Sequence, residues 1–159
     1  MTIITCLWFQ EDLKGALDRY TSLVPDSEVH SLQQMGGLDD EVWLADWRMF
    51  GTEFRAICQR SGFRLNESVS LSVTCADQAE VDRYWDGLLA GGGEESQCGW
   101  LKDPWGLSWQ IVPQRLNELM ADPDPRRAQA ATQAMLQQQR IVIADLEAAA
   151  DAVTVAATS

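Results

Sequence analysis

A chain of 159 residues with 46% apolar side chains and a mean hydropathy of −0.19 has the balance of one ordinary globular domain rather than a disordered segment. No apolar run approaches the roughly 20 residues a membrane span needs, so a membrane partner is not expected. The net charge of −12, from 24 acidic against 12 basic residues, repels phosphate backbones and speaks against nucleic acid as a partner.

Residues 2 to 9, TIITCLWF, are β-branched, aromatic and apolar in nearly every position, which suits a buried strand. From Glu11 to Val24 the spacing becomes helical. Leu13, Ala16, Leu17, Tyr20 and Leu23 recur at intervals of three and four, and Pro25-Asp26 stops the pattern. Glu28 to Gln34 and Glu41 to Met49 are strand candidates separated by Gly36-Gly37, and Thr52 to Gln59 follows across the tight turn Phe50-Gly51. The first part of the chain therefore reads β, α, β, β, β.

The same order then recurs. Ser68 to Cys75, SVSLSVTC, alternates polar and apolar residues with a period of two, as a half-buried strand does. Asp77 opens a helix whose stripe is Ala79, Val81, Tyr84, Trp85, Leu88 and Leu89, and Gly91 to Gly93 ends it. Strands are expected at Glu94 to Gln97, Cys98 to Lys102 and Leu107 to Val112, the last two joined by the turn Asp103-Pro104-Trp105-Gly106. The two strand-plus-helix openings stand about 66 positions apart, one supersecondary unit used twice.

Beyond Pro113 the chain turns helical. Gln114 to Ala121 is followed by the break Asp122-Pro123-Asp124-Pro125. A second helix starts there, with Asp124 as N-cap and Pro125 at the first helical position, and Asp145 to Val153 is a third. The expected domains are residues 1–113, the paired βαβββ domain, and 114–159, a helical extension that packs on that domain or on a dimer partner.

Four cysteines, Cys6, Cys58, Cys75 and Cys98, contain no CxxC spacing, so neither a zinc ribbon nor a redox dithiol is signalled. The N-terminal MTIITCLWFQED has neither a basic lead nor a small-residue cleavage site. The expectation is a cytoplasmic protein with reduced thiols.

The block from Gln97 through Trp100, Asp103-Pro104-Trp105-Gly106 and Ser108-Trp109-Gln110 to Pro113 carries a resemblance. Cys6-Leu7-Trp8-Phe9 with Ala16-Leu17 and Tyr20-Thr21 adds to it. So do Val81-Asp82-Arg83-Tyr84-Trp85 and Asp122-Pro123-Asp124-Pro125 through Ala134-Met135-Leu136. Together they resemble PhnB-like proteins of the vicinal-oxygen-chelate (glyoxalase/bleomycin-resistance) superfamily, a group also labelled 3-demethylubiquinone methyltransferase domains. The resemblance implies an α+β fold, two βαβββ modules making a cupped, incompletely closed eight-stranded sheet, with a homodimer as the usual assembly.

The resemblance also implies where a divalent ion would sit in the superfamily's enzymes, held by His, Gln and Glu from the first strand of each module and from the last strand. Those positions fall on Ile4, on Ser70 or Ser68, and on Gln110. An isoleucine has no donor, a serine hydroxyl stays protonated at neutral pH, and one amide is not a site. Relatives often carry a His before the fifth strand, where this chain has Gly62. No metal and no cofactor is expected.

His30 is the one histidine and reads as a surface or edge residue, without a nucleophile beside it. Cys6 reads as a packed thiol in the absence of a cation to activate it. Glu67, just ahead of the serine-rich strand, is the candidate general base for an enzyme, with a solvated strand-end carboxylate as the bland alternative. Gly91 to Gly93 follow a helix rather than a strand, which denies the chain the glycine-rich strand-to-helix turn of a nucleotide-type cofactor site.

Alternation places Ile4, Cys6 and Trp8 on one face of the first strand, Ser68, Ser70 and Ser72 on one face of the fifth, and Ser108, Gln110 and Val112 on one face of the eighth. If the superfamily's inward faces carry over, Cys6, Trp8, Ser68, Ser70, Ser72, Ser108 and Gln110 line a pocket for a small aromatic or apolar organic ligand. The alternatives are an enzyme acting on such a molecule, metal-assisted or through Glu67, and a core in which the seven tryptophans fill the space.

Overall fold

The computed structural model describes residues 3–36 and 41–156. Thr2 and Gly37, named above, lie outside them. The chain divides into two compact units, residues 1–69 with 104–107, and residues 70–103 with 108–159. Among the described residues no helix is long and apolar enough to cross a membrane.

In the first unit β1 (Thr5–Phe9) leads into α1 (Leu13–Leu23), then β2 (Glu28–Met35), β3 (Val42–Met49) and β4 (Thr52–Cys58). The sheet order is β1-β4-β3-β2, with β1 parallel to β4 and the remaining pairs antiparallel. This is the expected β, α, β, β, β. Helix α1 starts where the Asp12 carboxylate accepts from the Gly15 amide at 3.1 Å. Gly15 is what permits that closure, since a Cβ there would stand 2.1 Å from Asp12 Oδ2. The two-residue loop Phe50-Gly51 has φ of 49° and 70°, the backbone hand that lets a short hairpin follow the strand twist.

Strand alternation decides what each face does. Leu7 and Phe9 of β1, Ala45, Trp47 and Met49 of β3, and Phe54, Ala56 and Cys58 of β4 are buried, as are Leu13, Ala16, Leu17 and Tyr20 of α1. Trp47 stacks on Phe54 with centroids 5.3 Å apart and planes 18° from parallel. The other face of the sheet carries Cys6, Trp8, Leu44, Asp46, Glu53 and Arg55. That is the open face of this sheet.

The second unit repeats the plan. β5 (Ser70–Cys75), α2 (Gln78–Leu89), β6 (Glu94–Glu95), β7 (Trp100–Lys102) and β8 (Ser108–Pro113) make a sheet of order β5-β8-β7-β6, again with its first and last strands parallel. Asp77 caps α2 by accepting from Glu80 N at 2.9 Å, and Glu80 in turn accepts from Ala76 N at 2.8 Å. Val73, Cys75, Trp109 and Ile111 are buried with Val81, Tyr84, Trp85 and Leu88 of α2. The fold is α+β, with eight strands in two four-stranded sheets.

Three further helices belong to this unit: α3 (Gln114–Met120), α4 (Pro125–Met135) and α5 (Ile143–Ala156). Asp124 caps α4, accepting from Arg126 N at 2.9 Å, and Pro125 takes the first position as its missing N–H allows. Leu116, Leu119, Ala131, Ile141, Leu146 and Ala150 form their shared core. The link between α4 and α5 is fastened to the module. Gln138 O and Gln139 O accept from Cys98 N and Gly99 N, each at 2.7 Å. Gln78 Nε2 donates to Ile141 O at 3.0 Å and Gln78 Oε1 accepts from Ile143 N at 2.9 Å. Arg140 reaches Asp82 at 3.2 Å and Asp86 at 2.7 Å.

Candidate functional site

The seven expected pocket residues fall on both units, three in the first and four in the second. On the first, Cys6 is exposed and Trp8 half-buried on the open face. Trp8 Nε1 donates to Gln59 O at 3.0 Å, and its ring meets Phe63 edge-on with centroids 5.3 Å apart. Gln10 holds the same segment by accepting from Ser61 N at 2.8 Å and donating to Phe63 O at 2.6 Å. The 59–64 segment is thereby pinned beside the end of β1, and nothing periodic in the sequence foretold that Phe63 would meet Trp8.

The sequence offered no cation near Cys6, yet Arg55 is its direct partner across β1 and β4. The guanidinium is committed elsewhere: Arg55 Nε donates to Asp46 Oδ1 at 2.8 Å, and Ser31 Oγ donates to Asp46 Oδ2 at 3.2 Å. The hydrogen bond from Arg55 holds the Asp46 carboxyl below the usual carboxylate range and raises Arg55 in turn. This polar row across three strands was legible in principle from alternation on β3 and β4. His30 lies at the register shift between Val29 and Ser31, with Nε2 3.1 Å from Glu53 Oε2.

Ser68 departs from the expectation that it shares a strand face with Ser70. The strand begins only at Ser70, and Ser68 sits exposed in a turn where both its backbone N–H and its hydroxyl donate to Asn66 Oδ1. The Asn side chain captures the backbone two residues on and postpones the strand. Glu67, in the same turn, is exposed. A carboxylate with that exposure is not in the desolvated setting a tuned general base needs.

On the second unit Ser70 and Ser72 share the open face of β5, and Ser108 and Gln110 that of β8. Gln110 Nε2 donates to Ser70 Oγ at 2.8 Å. Trp100 stands opposite Gln110, and Lys102 opposite Ser108, on β7; neither was singled out from the sequence. Ser108 is only 1% exposed, and its hydroxyl has no hydrogen-bond partner among the described residues. A buried hydroxyl without a partner costs stability, so this position carries a polar group that the fold itself does not use.

The divalent ion implied by the superfamily does not fit these residues. Ile4, 39% exposed, offers no donor, the Ser70 hydroxyl is protonated and already accepts from Gln110, and Gln110 supplies a single neutral oxygen. Among the described residues no group of three or more His, Cys, Asp or Glu side chains is arranged to hold a metal.

Residues 1–112 match the model of a family described as 3-demethylubiquinone-9 3-methyltransferase. Among curated proteins none matches. Among solved structures, the chain is similar to a putative 3-demethylubiquinone-9 3-methyltransferase, PhnB protein, of Bacillus cereus, at 28% identity and a TM-score of 0.61 over 71% of this chain and 99% of that one. Protein PA1353 of Pseudomonas aeruginosa is 18% identical with a TM-score of 0.55, covering 71% of this chain and 97% of its own. The fosfomycin resistance protein FosX of Mesorhizobium loti is 14% identical with a TM-score of 0.55, covering 77% and 98%. At those identities the last two speak for the fold alone.

Proposed function

This chain belongs to the PhnB-like family described as 3-demethylubiquinone-9 3-methyltransferase, within the vicinal-oxygen-chelate superfamily. From that premise we propose that it binds a small, flat, apolar or aromatic organic molecule without a metal ion, through Ser70, Ser72, Ser108 and Gln110 of the second unit. The observation that carries the reading is the Ser108 hydroxyl, buried and without a partner among the described residues, on the same strand face as the Gln110 amide. A ligand hydroxyl or carbonyl would satisfy it.

Ser70, Ser72 and Gln110 beside Ser108 are neutral, with Trp100 opposite Gln110 and Lys102 opposite Ser108 on β7, and neutral hydrogen-bonding groups beside aromatic surface suit a planar organic molecule. Methyl transfer forms no part of this reading, because the glycine run Gly91 to Gly93 follows α2 and offers no strand-to-helix phosphate turn. Catalysis through Glu67 has less support, given its exposure.

The protein works as a cytoplasmic homodimer on this reading. Its support is the long edge strand β2, which leaves Val29 and Met35 exposed, and an open edge of that length favours pairing or cover. Isothermal titration of the full chain with 2-naphthol, in buffer containing EDTA, tests the binding. Saturable binding that weakens in Ser108→Ala and Gln110→Ala supports it, and no heat up to the solubility of the probe contradicts it.

A further inference from the structure

A hollow of about 460 Å³ opens beside the β1–α1 turn of the first unit. It is on the side of the sheet opposite Cys6 and Trp8. Leu32, Trp43 and Cys58 line it, and by strand register they belong to the helix-facing set with Ala45 and Ala56. With buried Leu13 of α1 they make an apolar floor. The volume lies within the range of small-molecule sites.

The rim is charged, and its charges are unevenly committed. Arg60 pairs with Glu11 at 2.9 Å, and Lys14 pairs with Asp18 at 2.5 Å. Both cations of the rim therefore have carboxylates already. Asp12 gives an oxygen to the Gly15 amide and lies within electrostatic reach of Lys14, whereas Glu41 has neither an ion pair nor a hydrogen-bonded cation among the described residues. An incoming anion would meet the Glu41 carboxylate, whereas an incoming cation would displace no described cation to reach it.

Trp43 supplies the second element. Its ring is half-buried and makes no ring or cation contact among the described residues. An indole face near a carboxylate that no described cation pairs is the combination that recognises an organic ammonium, through the ring quadrupole and the full charge together. The net charge of −12 favours the approach of cations over anions.

We propose that this hollow is a second binding site, for an organic cation in which an ammonium group is carried on a compact apolar body. The ammonium lies against Glu41 and the face of Trp43, and the body rests on Leu13, Leu32 and Cys58. The site is independent of the neutral ligand proposed for the open face of the second unit.

The test is isothermal titration of the full chain with benzyltrimethylammonium chloride, with benzyl alcohol and phenylacetate as neutral and anionic controls of similar shape. Saturable binding of the cation is expected, with both controls at least about tenfold weaker. Glu41→Gln, an exposed position outside the core, should weaken the cation roughly tenfold without moving Tm, and Trp43→Leu should weaken it at least as much. If Trp43→Leu fails to fold, the Glu41→Gln result decides alone. Absence of saturable binding, benzyl alcohol binding as tightly as the cation, or an affinity unchanged in Glu41→Gln overturns the proposal. Because 2-naphthol is uncharged, its binding reports on the other reading, and either probe can fail while the other succeeds.

Discussion

The Gln110 amide donates to the Ser70 hydroxyl at 2.8 Å, diagonally across two parallel strands whose direct pairs are Ser70 with Ser108 and Ser72 with Gln110. The bond ties together two positions onto which the resemblance carries the superfamily's metal-ligand places, and makes of them a neutral pair. Half-buried neutral bonds of this kind contribute about 1 kcal/mol each. Ser70→Ala and Gln110→Leu should each lower stability by about that much, and the double variant by less than the sum, since either change removes the same bond. Urea denaturation of the four proteins measures the coupling.

Ser108 sets stability against binding. Removing a buried hydroxyl that the fold leaves unpartnered should stabilise Ser108→Ala by about 1 kcal/mol, which for a chain of this size is a rise in Tm of roughly 2–4 °C. The same variant should bind 2-naphthol more weakly. A hydroxyl with only a packing role would change the first quantity and not the second. Differential scanning calorimetry and titration calorimetry on one preparation separate the two.

Gly99 joins the tail helices to the second sheet. It adopts φ of 82°, donates to Gln139 O at 2.7 Å and accepts from Ile111 N at 2.8 Å. A Cβ there would stand 2.8 Å from Ile111 O and 3.2 Å from Ile141 Cγ1. The left-handed backbone alone costs a side chain roughly 1–2 kcal/mol, and the contact with strand backbone adds to that. Gly99→Ala should therefore unfold at markedly lower urea than Gly62→Ala, where a Cβ would meet nothing within 4 Å.

Burial raises the Cys75 thiol from 9.0 to about 12. Between those values the folded protein keeps a proton that the unfolded chain releases. The stability carried by this group is thus whole below pH 9.0 and is lost as the pH climbs toward about 12. The urea midpoint should fall with rising alkalinity more steeply in the natural protein than in Cys75→Ala. At neutral pH a thiol reagent should label exposed Cys6 at once, while Cys75, fully buried, waits for unfolding.

Strand periodicity made the module plan legible, because each strand buries one face. The alternation of Leu7 and Phe9 with Cys6 and Trp8 survives intact in the burial of β1. The same signal failed at Ser68, where the SVSLSVTC pattern runs on but the Asn66 side chain takes the backbone into a turn. Contacts between distant segments left no periodic trace. Phe63 reaches Trp8, Arg55 flanks Cys6 across the β1–β4 pairing, and Trp43, Leu13 and Cys58 from three elements meet around one hollow. A propensity argument ranks residues along one element, and these groupings depend on which elements become neighbours.

The most direct test concerns the ion. The purified chain is equilibrated with Mn(II) and Zn(II), passed through a desalting column and analysed for metal, then titrated with 2-naphthol before and after chelation. Metal well below one ion per chain and the same naphthol affinity in both titrations are expected. One tightly held ion per chain, whose removal by chelator abolishes naphthol binding, would contradict metal-free binding.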